Sequence, residues 1–203
     1  MLEKEKFYRQ TLKKNFFFFL KIILFYQLST IFCLADVQKN IINKLTGTQT
    51  LSFNFKQKIS DKEEYGNCFI KYPLLIKCNY KNLKKKVIIS NGKTVAVIKK
   101  KYKKVYLYPI KNTPLFFILQ KDKIINLVRK TKPDKINENT IEFTFIDKKS
   151  NSVRILFDSN SLDLKGWKTK DAYSNNVSFE INDLIINNQI IDDFFKIPKE
   201  EDL

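Results

Sequence analysis

The sequence predicts a mainly β protein, built on one antiparallel sheet of about ten strands that curls or closes and carries two short helices. Apolar and polar residues alternate with a period of two in series after series beyond Thr48, the pattern of strands with one buried face. Asn91-Gly92 and short polar runs such as Asp147 to Ser150 and Asp158 to Ser161 supply turns between these series. The chain has 203 residues, 43% of them hydrophobic, with only 4 Gly and 5 Pro, which excludes collagen-like and wholly disordered chains and leaves enough apolar mass for one core.

Residues 1–35 read as a secretory signal peptide. Lys4, Lys6, Arg9, Lys13 and Lys14 precede Phe16 to Leu20 and an apolar run from Ile22 to Leu34, and Cys33-Leu34-Ala35 offers small residues before a cut after Ala35. The run is short for a bilayer span, which takes roughly 20 apolar residues. An uncleaved anchor is a second reading, and a lipoprotein signal using Cys33 is a third, disfavoured by bulky Phe32. The remainder, 36–203, is expected to be a single domain, since no linker or repeat interrupts it.

Asp36 to Leu45 spaces Val37, Ile41 and Leu45 four apart, with a cap at Asp36 and a stop at Gly47, which predicts a short amphipathic helix. Leu51, Phe53 and Phe55 begin the strands. Cys68 and Ile70, then Ile76, Cys78 and Tyr80, follow around Pro73. A tight loop centred on Pro73 sets residue 68 opposite 78 and Ile70 opposite Ile76. The two cysteines then form a cross-strand disulfide, as suits an exported chain, or stand as two buried thiols; with so few thiols and no histidine, a metal site is not expected.

Lys84 to Ser90 and Lys93 to Lys100, with Val95 and Val97, flank the Asn91-Gly92 turn, and Val105 to Tyr108 ends at Pro109. Thr113 is placed to cap a second helix and Pro114 to fill its first turn, ahead of Leu115, Phe116, Phe117 and Leu119. Strands resume at Thr140 to Ile146 (Ile141, Phe143, Phe145), Ser152 to Phe157 (Val153, Ile155, Phe157), Leu162 to Lys170 (Trp167) and Asn176 to Leu184 (Val177, Phe179, Ile181). A sheet this long curls, because long open twisted sheets are uncommon. The apolar strand face is then either a packed core or the lining of a cavity for apolar ligands. In the Lys84 to Ser90 segment, Val87 and Ile89 compete with Ile88 for that face.

Composition removes much chemistry. The chain has no histidine, so histidine triads and imidazole acid–base catalysis are excluded. No nucleophile elbow, phosphate loop or dinucleotide fingerprint is present. Paired acids such as Glu63-Glu64 and Asp192-Asp193 are adjacent in sequence rather than set across a cleft, so no catalytic residue and no cofactor is expected. The net charge of +17 comes from 35 Lys and only 3 Arg, a poor set for bidentate phosphate or base recognition, and nucleic acid is not an expected partner. Lys, Asn, Ile and Phe make up nearly half the chain, all with A/T-rich codons, so compositional drift of the genome explains the net charge as well as an anionic ligand would.

Five strings resemble the outer-membrane lipoprotein carrier (LolA) family: Leu51-Ser-Phe-Asn-Phe-Lys-Gln57, Gly66 through Tyr72-Pro73 to Tyr80, Ser90-Asn-Gly-Lys93, Asn112-Thr-Pro-Leu115, and Phe195-Lys-Ile-Pro198. The resemblance implies an incomplete antiparallel β-barrel of 10–11 strands with two or three short helices as a lid. It further implies a monomeric periplasmic carrier that takes acylated lipoproteins from an inner-membrane ABC-type releasing complex to an outer-membrane receptor or the outer membrane itself. On that basis Leu51, Phe53, Phe55, Ile70, Ile76, Val95, Val97, Phe143, Phe145, Ile155, Phe157, Trp167, Phe179 and Ile181 are expected to line an acyl-chain cavity. Val37, Ile41, Leu45, Pro114, Leu115, Phe116, Phe117 and Leu119 are expected in the lid. The family places a lid-holding arginine before the hairpin proline, where this chain has Tyr72 beside Lys71, and Ala96 stands where a bulky aromatic is frequent. A second function class on the same half-barrel is a periplasmic lipid- or protein-sensing module.

Overall fold

The computed structural model describes residues 36–81, 85–146, 152–171 and 174–203; the signal-peptide expectation and the turn from Asp147 to Ser150 lie outside them. Two compact units divide at Asn40 and Ile41. Of the first, residues 36–40 are described, and they are helical with Val37 half-buried. Asp36 lies within this helix, α1 (36–47), rather than ahead of it as a cap, and the helix runs two residues past Leu45.

Among its described residues the second unit holds eleven antiparallel strands in one unclosed sheet. They are β1 (Thr50–Ile59), β2 (Lys62–Lys71), β3 (Leu75–Tyr80), β4 (Lys86–Asn91), β5 (Thr94–Lys99), β6 (Lys104–Pro109), β7 (Lys135–Ile136), β8 (Thr140–Ile146), β9 (Ser152–Asp158), β10 (Leu164–Lys170) and β11 (Asn176–Ile186). Their order is β6-β5-β4-β3-β2-β1-β11-β10-β9-β8-β7. The chain therefore meanders outward from β1 to one edge, crosses to the other edge, and meanders back until β11 pairs with β1. Helices α2 (Leu115–Ile118) and α3 (Lys121–Lys130) lie in the crossing segment. The result is an incomplete antiparallel barrel whose helices α2 and α3 lie in the segment joining its two edges.

Local chemistry fixes the turns. Asn91 Oδ1 accepts from the N–H groups of Lys93 and Thr94 at 3.1 and 3.0 Å, and Gly92 takes φ +93°, a conformation glycine adopts without steric cost. Asp158 Oδ1 accepts from the N–H groups of Asn160 and Ser161, and its Oδ2 pairs with Lys165 Nζ at 2.8 Å. The lysine first, and these amides with it, hold the Asp158 carboxyl down at about 2. A carboxyl depressed in the folded state stabilises above its unfolded value and loses that contribution as pH falls through its folded value. Thermal midpoints measured against pH are therefore expected to fall for the natural protein between the ordinary value of 3.8 and about 2, with a shallower slope in Asp158→Asn.

Two further sequence expectations are corrected. Thr113 does not cap α2: it is extended, its Oγ1 donates to the Ile110 carbonyl at 2.8 Å, and Pro114 occupies the cap position with no side-chain bond. Residue 162 is in a turn at φ +60°, so β10 starts at Leu164. Helix α3 and the two-residue β7 supply the third helix and the eleventh strand that the resemblance allows, at places the strand periodicity does not mark. In α3 the signal was present, since Ile124, Ile125 and Val128 are buried on one side while Asp122, Asn126 and Arg129 are at least partly exposed.

Candidate apolar site under the helices

Partners in an antiparallel ladder project to the same face, so the registers decide which residues share one. Leu51 faces Ile70, Ile70 faces Ile76, Phe53 faces Cys68, and Cys68 faces Cys78. Cys78 then faces Ile88, which faces Val97, while Ile76 leads through Ser90 to Val95. Toward the other edge, Phe55 faces Ile181, Phe179 faces Trp167, Trp167 faces Ile155, and Ile155 faces Phe143. Phe157 and Phe145 lie on the same strands two residues from Ile155 and Phe143. All fourteen residues named as lining thus occupy one face, and all but the half-buried Val97 and Phe145 are buried.

The register also settles the choice in β4. Ile88 shares the lining face, whereas Val87 and Ile89 point to the outer face with Ala96 and Ile98. That outer cluster is covered by Val105, Ile197 and Leu203. Both faces of β4 are apolar because the carboxyl-terminal segment packs on the outside, which is why alternation alone did not resolve it.

Aromatic rings crowd the centre of the site. Phe179 stacks on Trp167 at 4.1 Å and on Phe55 at 4.7 Å between ring centres, with Phe53 edge-on at 6.3 Å. Phe55 in turn meets Tyr80 edge-on at 4.9 Å. Tyr80 Oη donates to Gln57 Oε1, a buried polar pair inside the apolar face that periodicity did not single out. Gly66 is required beside it, because a Cβ there would overlap the Asn79 carbonyl oxygen and the Phe55 ring. Cys68 and Cys78 are joined as a disulfide, their Cα atoms 4.1 Å apart across β2 and β3.

The helices close over this face because the chain has to cross it between the two sheet edges. α2 lies against β9 and α3 against β8. Phe117 stacks on Phe145 with ring centres 3.9 Å apart, and Ile118, Leu119, Ile124 and Val128 are fully buried. Of the other residues expected in the lid, Ile41 and Leu45 are buried, Leu115 and Phe116 are half-buried, and Pro114 is exposed. Lys121 Nζ donates to the carbonyls of Thr46 and Thr48 at 3.1 and 2.7 Å, tying the start of α3 to the end of α1, where a cation suits the helix dipole.

The β2–β3 loop touches the helices directly. Leu74 N–H donates to the Leu119 carbonyl at 2.9 Å, Ser90 Oγ donates to the Leu74 carbonyl at 2.7 Å, and Tyr72 N–H donates to the Gln49 carbonyl at 2.9 Å. Tyr72, ahead of a cis Pro73, has a buried hydroxyl with no hydrogen-bond partner among the described residues, and burial pushes that phenol well above its ordinary value. Lys71 is drawn away to Asp192 and the Ile190 carbonyl. The hairpin is thus joined to the helices by main chain at Leu74 rather than by a cationic side chain.

An unclosed antiparallel barrel with one continuous apolar face under helices places the molecule in the class of half-barrel binding folds. The chain belongs to the outer membrane lipoprotein carrier protein LolA family, whose model matches residues 46–198. No curated protein sequence matches it. Among solved structures, an uncharacterized conserved protein from Thermus thermophilus is 7% identical, with 81% of this chain and 94% of that chain covered and a TM-score of 0.47. A LolA superfamily protein from Nitrosomonas europaea is 9% identical (81% and 97% covered, TM-score 0.43). The MucA/MucB complex of Pseudomonas aeruginosa gives 8% identity (81% and 62% covered, TM-score 0.47). No helix among the described residues is long and apolar enough to cross a membrane.

Proposed function

We propose that this protein is a periplasmic carrier that binds the acyl chains of lipoproteins released from the inner membrane and delivers them to the outer membrane, without catalysis. The observation that carries the reading is the single apolar face running from Val97 to Phe143 with short helices over it, in a chain of the LolA family. One buried CH₂ contributes about 0.8 kcal/mol, so a long acyl chain amounts to roughly 10 kcal/mol taken out of water. Aromatic and branched side chains in close contact fill the face, so loading requires the helices to lift and the rings of Phe117 and Phe145 to separate. Onward transfer then follows from differential affinity, the acceptor holding the chains better than this face does.

The partners under this reading are acylated lipoproteins, an ABC-type releasing complex of the inner membrane, and an outer-membrane receptor or the membrane itself. The test is a release assay. Purified protein is added to spheroplasts that make a tagged lipoprotein, with an unacylated version of the same cargo as control. Acyl-dependent, stoichiometric appearance of cargo in the supernatant is the expected result; no release in the presence of an active releasing complex refutes the carrier reading.

A further inference from the structure

Charge is segregated along this chain in a way that compositional drift does not produce. From Tyr65 to Lys121 there are 14 lysines and no aspartate or glutamate, while the rest of residues 36–203 holds all 19 acids against 18 basic side chains. A change in codon usage would thin the acids evenly rather than empty one stretch. The stretch forms most of β2, all of β3 to β6, and α2, so one half of the sheet is cationic.

The registers gather much of that charge at one end. Lys86 opens β4 opposite Lys99, and Lys99 closes β5 opposite Lys104. The end of β3, the start of β4 and the β5–β6 turn therefore lie at the same end of the sheet, with β4 and the far side of that turn about 10 Å apart at the ordinary strand spacing. Lys86 is taken up by Glu64, and Lys104 by Glu200 from the carboxyl-terminal turn. Lys81, Lys85, Lys100, Lys101 and Lys103 are exposed and have no acidic partner among the described residues. The β5–β6 turn is a formed structure: Lys100 to Tyr102 make a 3-10 turn closed by the Lys103 N–H on the Lys100 carbonyl at 3.1 Å. At its tip Tyr102 is 52% exposed between lysines.

We propose that this end of the sheet forms a docking surface for an anionic phospholipid bilayer, with the five lysines on lipid phosphates and Tyr102 at headgroup level. An amphipathic ring flanked by ammonium groups is the arrangement that membrane–water interfaces favour, and each lysine near an anionic surface adds a small, salt-sensitive attraction. Nucleic acid fits less well. The stretch contains no arginine for bidentate phosphate or base contacts, and a single tip aromatic gives no stacking series. One tyrosine with several lysines yields reversible attachment, whereas stable anchoring needs buried chains.

Flotation with phosphatidylglycerol vesicles, against neutral phosphatidylcholine vesicles, tests this without any lipoprotein, so its failure is separate from failure of the carrier reading. The variant K85Q/K100Q/K101Q/K103Q is compared with K130Q/K132Q/K135Q/K168Q, four exposed lysines outside the cationic stretch. Expected is a fall of about tenfold or more in partition onto anionic vesicles for the first variant and little change for the second, with natural binding weakened by added salt. Tyr102→Ser is expected to lower partition in a way that added salt does not reproduce. Equal losses in both lysine variants, equal binding to neutral vesicles, or no binding at all would overturn the proposal. So would tighter binding to transfer RNA than to vesicles that disappears in the first variant.

Discussion

Cross-linking positions 74 and 119 is expected to abolish cargo release while leaving the fold in place. The Leu74 N–H donates to the Leu119 carbonyl, so the two backbones are already within the span that a disulfide requires, and Leu74→Cys with Leu119→Cys fastens the hairpin loop to the end of α2. Under the carrier reading the helices have to lift before acyl chains reach Phe143, Phe157 and Phe179. The oxidised double variant should therefore release no lipoprotein from spheroplasts, and a reductant mild enough to spare Cys68–Cys78 should restore release. The reduced sample is its own control for the loss of two leucine side chains. Full release by the oxidised protein, with the cross-link verified by mass, would show that this contact does not gate the site.

Phe179→Ala is expected to be among the most destabilising single changes in the molecule. Its ring is 6% exposed and touches those of Trp167, Phe55 and Phe53, so truncation leaves a cavity where three strands meet. Large-to-small changes of this kind cost about 3–5 kcal/mol, which for a chain of this size lowers the thermal midpoint by roughly 10 °C. The chain has one tryptophan, and it is the one stacked on Phe179, so its emission should shift to the red in the variant. Phe179→Leu refills most of the volume and is expected to recover more than half of the midpoint. A midpoint unchanged in Phe179→Ala would mean that the ring stack is not part of a close-packed core.

The strands and their shared face were legible because alternation reports a buried side directly, and the centring of the β2–β3 loop on Pro73 followed from cysteine spacing. Ile70 faces Ile76 and Cys68 faces Cys78 as that spacing requires. What alternation lacks is any record of the partner. Nothing in the period of β1 says that it lies between β2 and β11, and nothing in β4 says that Ile197 and Leu203 belong to a tail covering the outside. The helical cover was half visible. Pro114 marked its start, but α3 begins shortly after α2 ends, and its basic residues Lys121, Lys123, Arg129 and Lys130 masked a short apolar stripe. The Gln57–Tyr80 pair was hidden for a different reason, since its two members come from different strands and look like ordinary polar positions until the register is known.

Because β1 lies beside β11, the sheet is completed late. β1 to β6 pair only with sequence neighbours, apart from the free side of β1, and that side waits for the last strand of the chain. Neighbouring hairpins close quickly, while a long-range pairing carries the loop-closure cost of everything between. A chain that emerges from its amino terminus therefore presents a six-stranded meander with one apolar face bare until the last quarter of the sequence arrives. Assembly ends in the middle of the sheet, not at its edges, and the interval before it ends is when the growing protein itself most needs a holdase.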